Sequence, residues 1–469
     1  MGIYPELSGL KESLSRNDYY APILKYWLYP LAQRLQGRDF HRAMNEAVKF
    51  QFLSSDERRD LQLRKVSALI MHANETVQYY KNIFKSAGIE PGDIKTWDDF
   101  TNIPVLTKDS LRENARLLFS TRPDSSLYPV PTSGSTGKPL TMMASQRAAL
   151  RANVSRIRAS EWWGIGLGDR QIRTMRMGMT FKRGWRNILN EKIFTPLRHR
   201  LMNRLLFSGY SMTPEIMQGL WDSILAFSPK CLFGFPSAFS FLAEFVNQQG
   251  YNGREANLTL VVTTGESLHE WQEEIITSTF GCPVANEFGS TEAGVIAYSH
   301  PCGALHTMDD GVIVEVIRSN PEDEFGEVVV TNLDNWGFPI IRYNHNDLVR
   351  DVEIGHECSL GLGFGLLKGL IGRSQDTIRL ASGRVVYCYY FHHLIQYVGG
   401  VKKFQFTQKE PDLFELKVIP RDESFGPAQE EFIRDAVRKN LEGSTIIINL
   451  VDSIPNDPSG KLRYVISEK

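Results

Sequence analysis

The chain is short of cysteine, of net charge and of long apolar runs, and each shortage removes a class of protein. Its five cysteines, at positions 231, 282, 302, 358 and 388, are odd in number and widely spread. A disulfide-stapled secreted scaffold needs paired cysteines in a small chain, so this usage fits a reducing cytoplasm. Lys and Arg number 53 against 54 for Asp and Glu, which leaves no general basic field for nucleic acid or an anionic membrane. No apolar stretch approaches the roughly 18 residues of a membrane span. The opening MGIYPELSGLKESLS lacks the apolar core of a signal peptide, and Glu6 stands where a myristoylation motif wants Ser or Thr. Internal repeats, low-complexity tracts and long linkers are missing too. What remains is 469 residues, 42% hydrophobic and 23% charged. That is an ordinary globular composition, too long for one core, so two or three folding units are expected.

One further absence concerns phosphate binding. TSGSTGKPL, residues 132 to 140, packs two glycines, four hydroxyls and a lysine ahead of Leu140. A Walker-A loop needs four residues between its glycines and a hydroxyl after its lysine. Here two residues separate Gly134 from Gly137, and Pro139 follows Lys138. The turn can cradle phosphate, but not as a P-loop kinase does.

The chain reads in four textures. Its first hundred residues are helical: in SSDERRDLQLRKVSALI, Ser54 or Ser55 is an N-cap, and Leu63, Val66, Leu69 and Ile70 repeat at helical spacing. Turns follow around Pro91-Gly92 and Pro104. From about 125 to 300, short apolar strands alternate with helices, the pattern of an α/β domain. LTLVVTTGESL (258 to 268) is a buried strand ending in a Gly-bearing loop, where open α/β sheets bind ligands. Between 311 and 343 the texture is all-β: GVIVEVI, GEVVVTNL and FPIIRY. After about 373 a small α+β unit appears. FQFTQ, LFELKVI and STIIINLV are its strands, and GPAQEEFIRDAVRKNLEG is its helix, with Phe432, Ile433, Ala436, Val437 and Leu441 on one face.

Four stretches give the phosphate-type loop its context. NEFGSTEAG (286 to 294) sets Thr291 and Glu292 in a Gly-flanked turn, a hydroxyl and a carboxylate suited to a magnesium-bound phosphate. IIRYNHNDL (340 to 348) ends an apolar strand with Asp347, which can accept both ribose hydroxyls. LIGRSQDTIRLASGRVVY (370 to 387) opens the last unit with Arg373. DPSGKLRYV (457 to 465) carries Lys461 after a Ser-Gly turn.

In this order the pieces resemble the adenylate-forming superfamily of acyl-CoA synthetases, luciferases and peptide-synthetase adenylation domains. More narrowly the chain resembles the phenylacetate–CoA ligase branch and its CapK-like and coenzyme F390 synthetase-like members. HANETVQYYKNIFKSAGI, IPVLTKDSLREN and FGFPSAFSFLAEF extend the likeness over most of the chain. The resemblance implies an α/β fold: a large N-terminal adenylation domain over 1–372, and a small mobile α+β cap over 373–469. The large domain would hold a helical region (1–120), an α/β core and a β segment (311–350).

The resemblance also assigns roles. Ser133, Gly134, Ser135, Thr136, Gly137 and Lys138 match the loop that closes over the ATP β- and γ-phosphates. Gly265 and Glu266 match the adenine-side loop, and Phe288 stands at the usual tyrosine beside adenine or acyl group. Thr291 and Glu292 match the phosphate and magnesium residues, Asp347 the ribose aspartate, Arg373 the domain-junction arginine and Lys461 the catalytic lysine. Two departures stand out. Asn344-His345-Asn346 replaces the usual Arg-Thr-Gly before the aspartate, and Gln375 sits at the hinge aspartate.

Some relatives hold zinc through a Cys/His pair and a later Cys-rich turn. Here His300, Cys302, His306, His356 and Cys358 offer thiolate and imidazole donors, while Leu360 occupies the second cysteine position of the turn. A zinc site and a vestigial turn of buried cysteines both fit this pattern. Phe233 and Phe235 suit either an acyl pocket or a core, and Trp162-Trp163 and MRMGMTFKRGWR are as readily core and solvated loop.

The function implied is an AMP-forming ligase. It would activate a small carboxylic acid, aryl or otherwise modest in size, with ATP and magnesium, then transfer it to coenzyme A. Transfer to an amine, hydroxyl or carrier-protein thiol is the enzymatic alternative, and a non-catalytic nucleotide-binding protein the alternative of another class. The oligomeric state stays open, a homodimer included. Lys461→Ala should lower acid-dependent ATP–pyrophosphate exchange about 10²–10³-fold with ATP binding largely intact, because one preorganised cation is lost at the transition state. Unchanged exchange with the true acid would remove Lys461 from the catalytic set.

Overall fold

Helices come first because apolar residues recur every three or four positions, and side-chain caps mark where each begins. The computed structural model describes residues 19–131, 141–175, 195–209, 212–318, 320–356, 358–373, 377–382, 385–387, 390–391, 394–395, 398, 400–455 and 463–467. Two short helices, Tyr20–Ile23 and Tyr29–Leu35, flank a π-helical turn. They lead to α1 (Phe40–Phe50), α2 (Ser55–Thr76) and α3 (Gln78–Ala87). Ser54 opens α2 with a reciprocal capping box to Glu57. Val66, Leu69, Ile70 and Ala73 of α2 are fully buried. None of the described helices is long and apolar enough to cross a membrane.

An antiparallel pair, β1 (Leu127–Pro131) and β2 (Thr141–Ser145), precedes α4 (Gln146–Trp162), which Ser145 caps. Five strands then run parallel: β3 (Gln171–Met175), β4 (Arg204–Ser208), β5 (Cys231–Gly234), β6 (Leu260–Thr264) and β7 (Val284–Ser290). Between them lie α5 (Pro214–Phe227), α6 (Pro236–Gln248) and α7 (Glu270–Phe280). The sheet continues antiparallel through β8 (Gly294–Ser299), β9 (Leu305–Thr307), β14 (Leu366–Lys368) and β13 (Asp351–Glu353). Its order is β13-β14-β9-β8-β7-β6-β5-β3-β4. Phe233, Val262 and Ala285 on one face join the core built around α2 and α3. On the other face Ile172, Leu232, Val261 and Val284 pack on Trp221, Phe239 and Ile276 of α5 to α7. Burial on both faces is why CLFG and LVVTT read as continuous apolar runs.

A second sheet of β10 (Val312–Ile317), β11 (Gly326–Asn332), β12 (Ile340–Val349) and β15 (Gly372–Arg373) is antiparallel throughout. The register between β11 and β12 shifts twice, and Arg342 (φ 50°) and Asn346 (φ 58°) take left-handed backbone on β12. After it come the short pair β16 (Thr377–Arg379) and β17 (Val385–Tyr387). The last sheet orders as β20 (Thr445–Leu450), β19 (Leu413–Pro420), β18 (Val401–Glu410) and β21 (Val465–Ser467), with α8 (Pro427–Asn440) between β19 and β20 in the chain. These elements share their own apolar cluster, from Ile378 to Val465.

The four textures read from the sequence appear here as helices, an α/β sheet, an all-β sheet and a small α+β unit. The face of α8 needs correction. Ile433, Val437 and Leu441 are buried, but Phe432 is 48% exposed, because one residue's step of about 100° carries it off the i, i+4 line.

Charge as well as packing ties α4 into this frame. Arg158, 1% exposed, donates to both oxygens of Asp310 at 2.8 and 2.9 Å and to the Ala47 carbonyl of α1 at 2.9 Å. Its guanidinium lies 4.7 Å from the Phe364 ring. Asp310→Ala should therefore destabilise the protein by about 3–5 kcal/mol, since it strands a buried cation. Denaturant unfolding would measure this, and Arg158→Met combined with Asp310→Leu should recover most of the loss. A loss below about 1 kcal/mol in the single variant would refute the assignment.

Candidate active site

The parallel strands end side by side, and the sequence places a special residue at each end. Beyond β6, Gly265 takes φ 80°, and a Cβ there would lie 3.0 Å from the Phe235 ring beyond β5. The turn therefore needs glycine. Next to it, Glu266 accepts from the Ser237 N–H at the start of α6 (3.3 Å). Ser267 then meets Gly372, where φ is 107° and a Cβ would stand 2.5 Å from the Ser267 hydroxyl. This contact brings the Gly265-Glu266 loop against the turn that carries Arg373.

Arg373 on β15 is paired in register with Asp347 on β12. Asp347 is buried, and its Oδ2 accepts a hydrogen bond from His345 Nδ1. The His345 ring meets Phe288 of β7 edge-on, with centroids 5.4 Å apart. Gly265, Glu266, Phe288, Asp347 and Arg373, scattered over more than a hundred residues, thus line one edge of the fold. His345 already occupies one Asp347 oxygen, so a ribose would meet a pre-oriented carboxylate.

Thr291 and Glu292 stand in the turn between β7 and β8. Asn332 of β11 steadies that turn by donating to the carbonyls of Glu292 and Ala293 (3.4 and 3.3 Å). Among the described residues, the Thr291 hydroxyl and the Glu292 carboxylate have no hydrogen-bond or ionic partner. Both border a cavity of about 130 Å³ that also meets Arg151, Asn332 and Asp334. Ser133, Gly134, Ser135, Thr136, Gly137 and Lys138 lie outside the described residues, as do Gln375 and Lys461.

Below this edge the sheet carries charges that sequence reasoning missed. Glu287 of β7, buried, accepts two bonds from Arg156 of α4 (2.6 and 2.8 Å) and one from the Thr264 hydroxyl (3.3 Å). Arg173 of β3 and Arg204 of β4 lie on the same face. Nothing local marks them, because an arginine on a helix or strand ordinarily reads as a solvated position. Trp162 and Trp163 prove to be packing residues, donating to Gln51 Oε1 (3.2 Å) and the Ser299 carbonyl (2.7 Å).

A separate cluster forms where the β8–β9 turn meets the loop at 358. One donor atom each from His300, Cys302, His306 and Cys358 lies within 4.8 Å of all the others. Cys302 Sγ is 3.4 Å from His306 Nε2, and Cys358 Sγ is 3.7 Å from His300 Nδ1. Tetrahedral zinc with bonds of about 2.0–2.3 Å sets neighbouring S and N ligands about 3.5 Å apart. His306 Nδ1 donates to the Phe364 carbonyl (3.3 Å), which turns Nε2 toward the cluster. Burial pushes His306 down to about 4 and also lowers His300, so both rings are neutral donors near pH 7. His356 falls outside the quartet and faces Glu353 Oε1 at 3.4 Å. Four donors meet without any ligand at Leu360, which is 59% exposed.

The sheet and its strand-end edge are those of an adenylate-forming fold. Residues 57–316 match the AMP-binding enzyme family, and residues 380–468 match the CapK C-terminal domain. The chain belongs to the AMP-binding enzyme family. It is 22% identical over 420 residues to Protein CapK of Staphylococcus aureus, across 87% of this chain and 89% of that one. With phenylacetate–coenzyme A ligase of Thermus thermophilus it shares 23% over 451 residues, across 88% and 97%. In fold it is similar to 2-hydroxyisobutyryl-CoA ligase in the postadenylation state with R3-HIB-AMP. The TM-score there is 0.72 at 20% identity, across 90% of this chain and 92% of the other.

Asp347→Ala should weaken AMP and ATP binding by about 1–3 kcal/mol, the cost of leaving ribose hydroxyls without their acceptor. Calorimetry on the variant tests this alongside its melting temperature. Unchanged nucleotide affinity with a lowered melting temperature would make Asp347 a structural partner of His345 and nothing more.

Proposed function

We propose that this protein is an AMP-forming acid–CoA ligase. The observation that carries the reading is the AMP-binding match over 57–316, together with the convergence of Gly265, Phe288, Asp347 and Arg373 on one edge. In the first half-reaction the acid's carboxylate oxygen attacks the ATP α-phosphorus. The bond to the β-phosphate oxygen breaks, leaving acyl-AMP and pyrophosphate. In the second, a CoA thiolate attacks the acyl carbonyl and AMP departs.

Both reactants of the first step are anions, so the work falls to positioned cations and donors rather than to proton transfer. Lys461 would bridge the carboxylate and α-phosphate, and Ser133 to Lys138 would enclose the outer phosphates. Asp347 would hold ribose, with Phe288 and the Gly265-Glu266 loop beside adenine. Thr291 would bind a phosphate oxygen. The Glu292 carboxylate, unpartnered among the described residues and bordering the cavity, fits a magnesium ion, which would supply charge neutralisation at the phosphates. Residues 373–469 would form the mobile cap over 1–372 that re-aims between the two steps.

The quartet His300, Cys302, His306 and Cys358 fits a structural zinc ion, with all four positions filled by protein and none left for substrate. Such an ion would lock the β8–β9 turn to the loop at 358. Purified protein should then carry one zinc per chain, and C302S should lose the metal and lower the melting temperature while acid activation persists. A metal-free protein with an unshifted C302S would argue for an ordinary buried turn.

The ligase reading is tested by screening carboxylic acids for ATP–pyrophosphate exchange, with and without CoA. An acid that supports exchange and yields its CoA thioester is the expected result. Exchange without thioester would transfer the second step to an amine, hydroxyl or carrier-protein thiol. ATP binding without exchange for any acid would point to a non-catalytic nucleotide-binding protein.

A further inference from the structure

Among the described residues, the face of the sheet that carries Glu287 holds more positive charge than it has carboxylates to balance. Arg156 and Arg173 gather there around Phe233, with Arg204 one strand over on the same face. The Arg173 guanidinium carbon lies 4.4 Å from the Phe233 ring centroid, and that of Arg156 lies 5.9 Å away. Both oxygens of Glu287 are engaged by Arg156. Arg173 is only 9% exposed, and its Nε and Nη2 both donate to the neutral Gln171 Oε1 (3.0 and 2.8 Å), which leaves Nη1 for another partner.

Arg204 sits one strand over, in register with Gln171, and its buried Nε has no hydrogen-bond partner. His199, in the helix Thr195–Leu201 just before β4, has a buried Nδ1 that is likewise unpartnered. Among the described residues no carboxylate pairs with Arg173 or Arg204. The nearby Cys231 thiol does not compensate, because burial pushes its pKa up to about 12. Burial and the facing cations Arg173, Arg204 and Arg198 also hold His199 down to about 4, so the ring adds a hydrogen-bonding nitrogen rather than a charge.

Buried guanidiniums without counter-charges are costly, and a fold retains them where a ligand supplies the anion. Parallel pairing sets Arg173 level with Phe233, Val262 and Ala285, two residues before Thr264 and Glu287 on the same face. The cluster therefore underlies the strand ends where Gly265 and Phe288 sit. A guanidinium edge, a second arginine and an aromatic wall together recognise a carboxylate or phosphate attached to a compact carbon skeleton.

We propose that Arg173 and Arg204, with His199 beside them, bind a second anionic group on the acid substrate, at the end remote from the carboxyl that is activated. This rests on the ligase reading above and narrows its substrate from acids in general to doubly anionic ones. Phe233 packs against the carbon skeleton, and the two arginines separate such acids from singly charged ones of the same length.

Two measurements on the full chain test this, with butyrate, glutarate and 3-phosphonopropionate as probes. In thermal unfolding at fixed ionic strength, glutarate or 3-phosphonopropionate should raise the melting temperature of the wild type and butyrate should not. R173M and R204M should each abolish the rise, and R173K, which keeps the charge, should retain much of it. In ATP–pyrophosphate exchange, the doubly charged acid should exceed butyrate in kcat/KM by roughly 100-fold, and R173M should bring that ratio near one. The larger response between glutarate and the phosphonate identifies the second group as carboxylate or phosphate. No anion-specific rise, or a ratio that R173M leaves unaltered, overturns the proposal. An anion-specific rise that R173M removes, with no exchange from any acid, leaves the anion site standing and overturns its assignment to a ligase substrate.

Discussion

The register of the parallel ladder β3–β5–β6–β7 is the constraint on which the rest depends. Arg173, Phe233, Val262 and Ala285 stand level across it, and Thr264 and Glu287 follow two residues on. Side chains on a strand alternate, so a slip of one residue would turn all of these to the opposite face. It would also bury Arg173 and Glu287 against the aromatic and aliphatic side chains of α5, α6 and α7. The apolar residues between them, Ile172, Leu232, Val261 and Val284, hold the register because their burial on that face allows no alternative. Strand ends, loops and site geometry follow from this one alignment.

Charge inside the fold is used in two ways. Arg158 with Asp310, and Arg156 with Glu287, are closed pairs in which two nitrogens meet two carboxylate oxygens. They join elements far apart in the chain, and their geometry limits how α4 can sit on the sheet. Arg173 and Arg204 lie on the same sheet face without such closure among the described residues. The contrast within one face matters more than the burial of any single arginine, since the fold can evidently balance a buried cation where it needs to.

Much of the architecture was legible in the residues. The helical repeat of α2, the apolar run of β6 and the β texture of β10 to β12 each show in the sequence and survive folding. The short strands β13 to β17 were not legible, because a strand of two or three residues shows no period at all. Phe432 was misplaced for a related reason: an apolar residue next to a helical stripe counts toward the stripe in the sequence but points elsewhere on the helix. For the site, glycines and acidic residues in turns were visible, whereas Arg156, Arg173, Arg204 and His345 were not. Their significance lies in partners that folding brings to them, as with Arg156 beside Glu287 at a separation of 131 and His345 beside Phe288.

By itself the sequence determined which local conformations form: where helices start, which turns require glycine, and which residue types cluster in phosphate-type loops. These depend on dihedral preferences and on hydrogen bonds between near neighbours. Only the tertiary structure decided which loops meet, that four His and Cys donors close into one cluster without Leu360, and that Arg173 and Arg204 have no carboxylate partner among the described residues. Such facts rest on distances and on local dielectric, which exist only once the chain has folded back on itself.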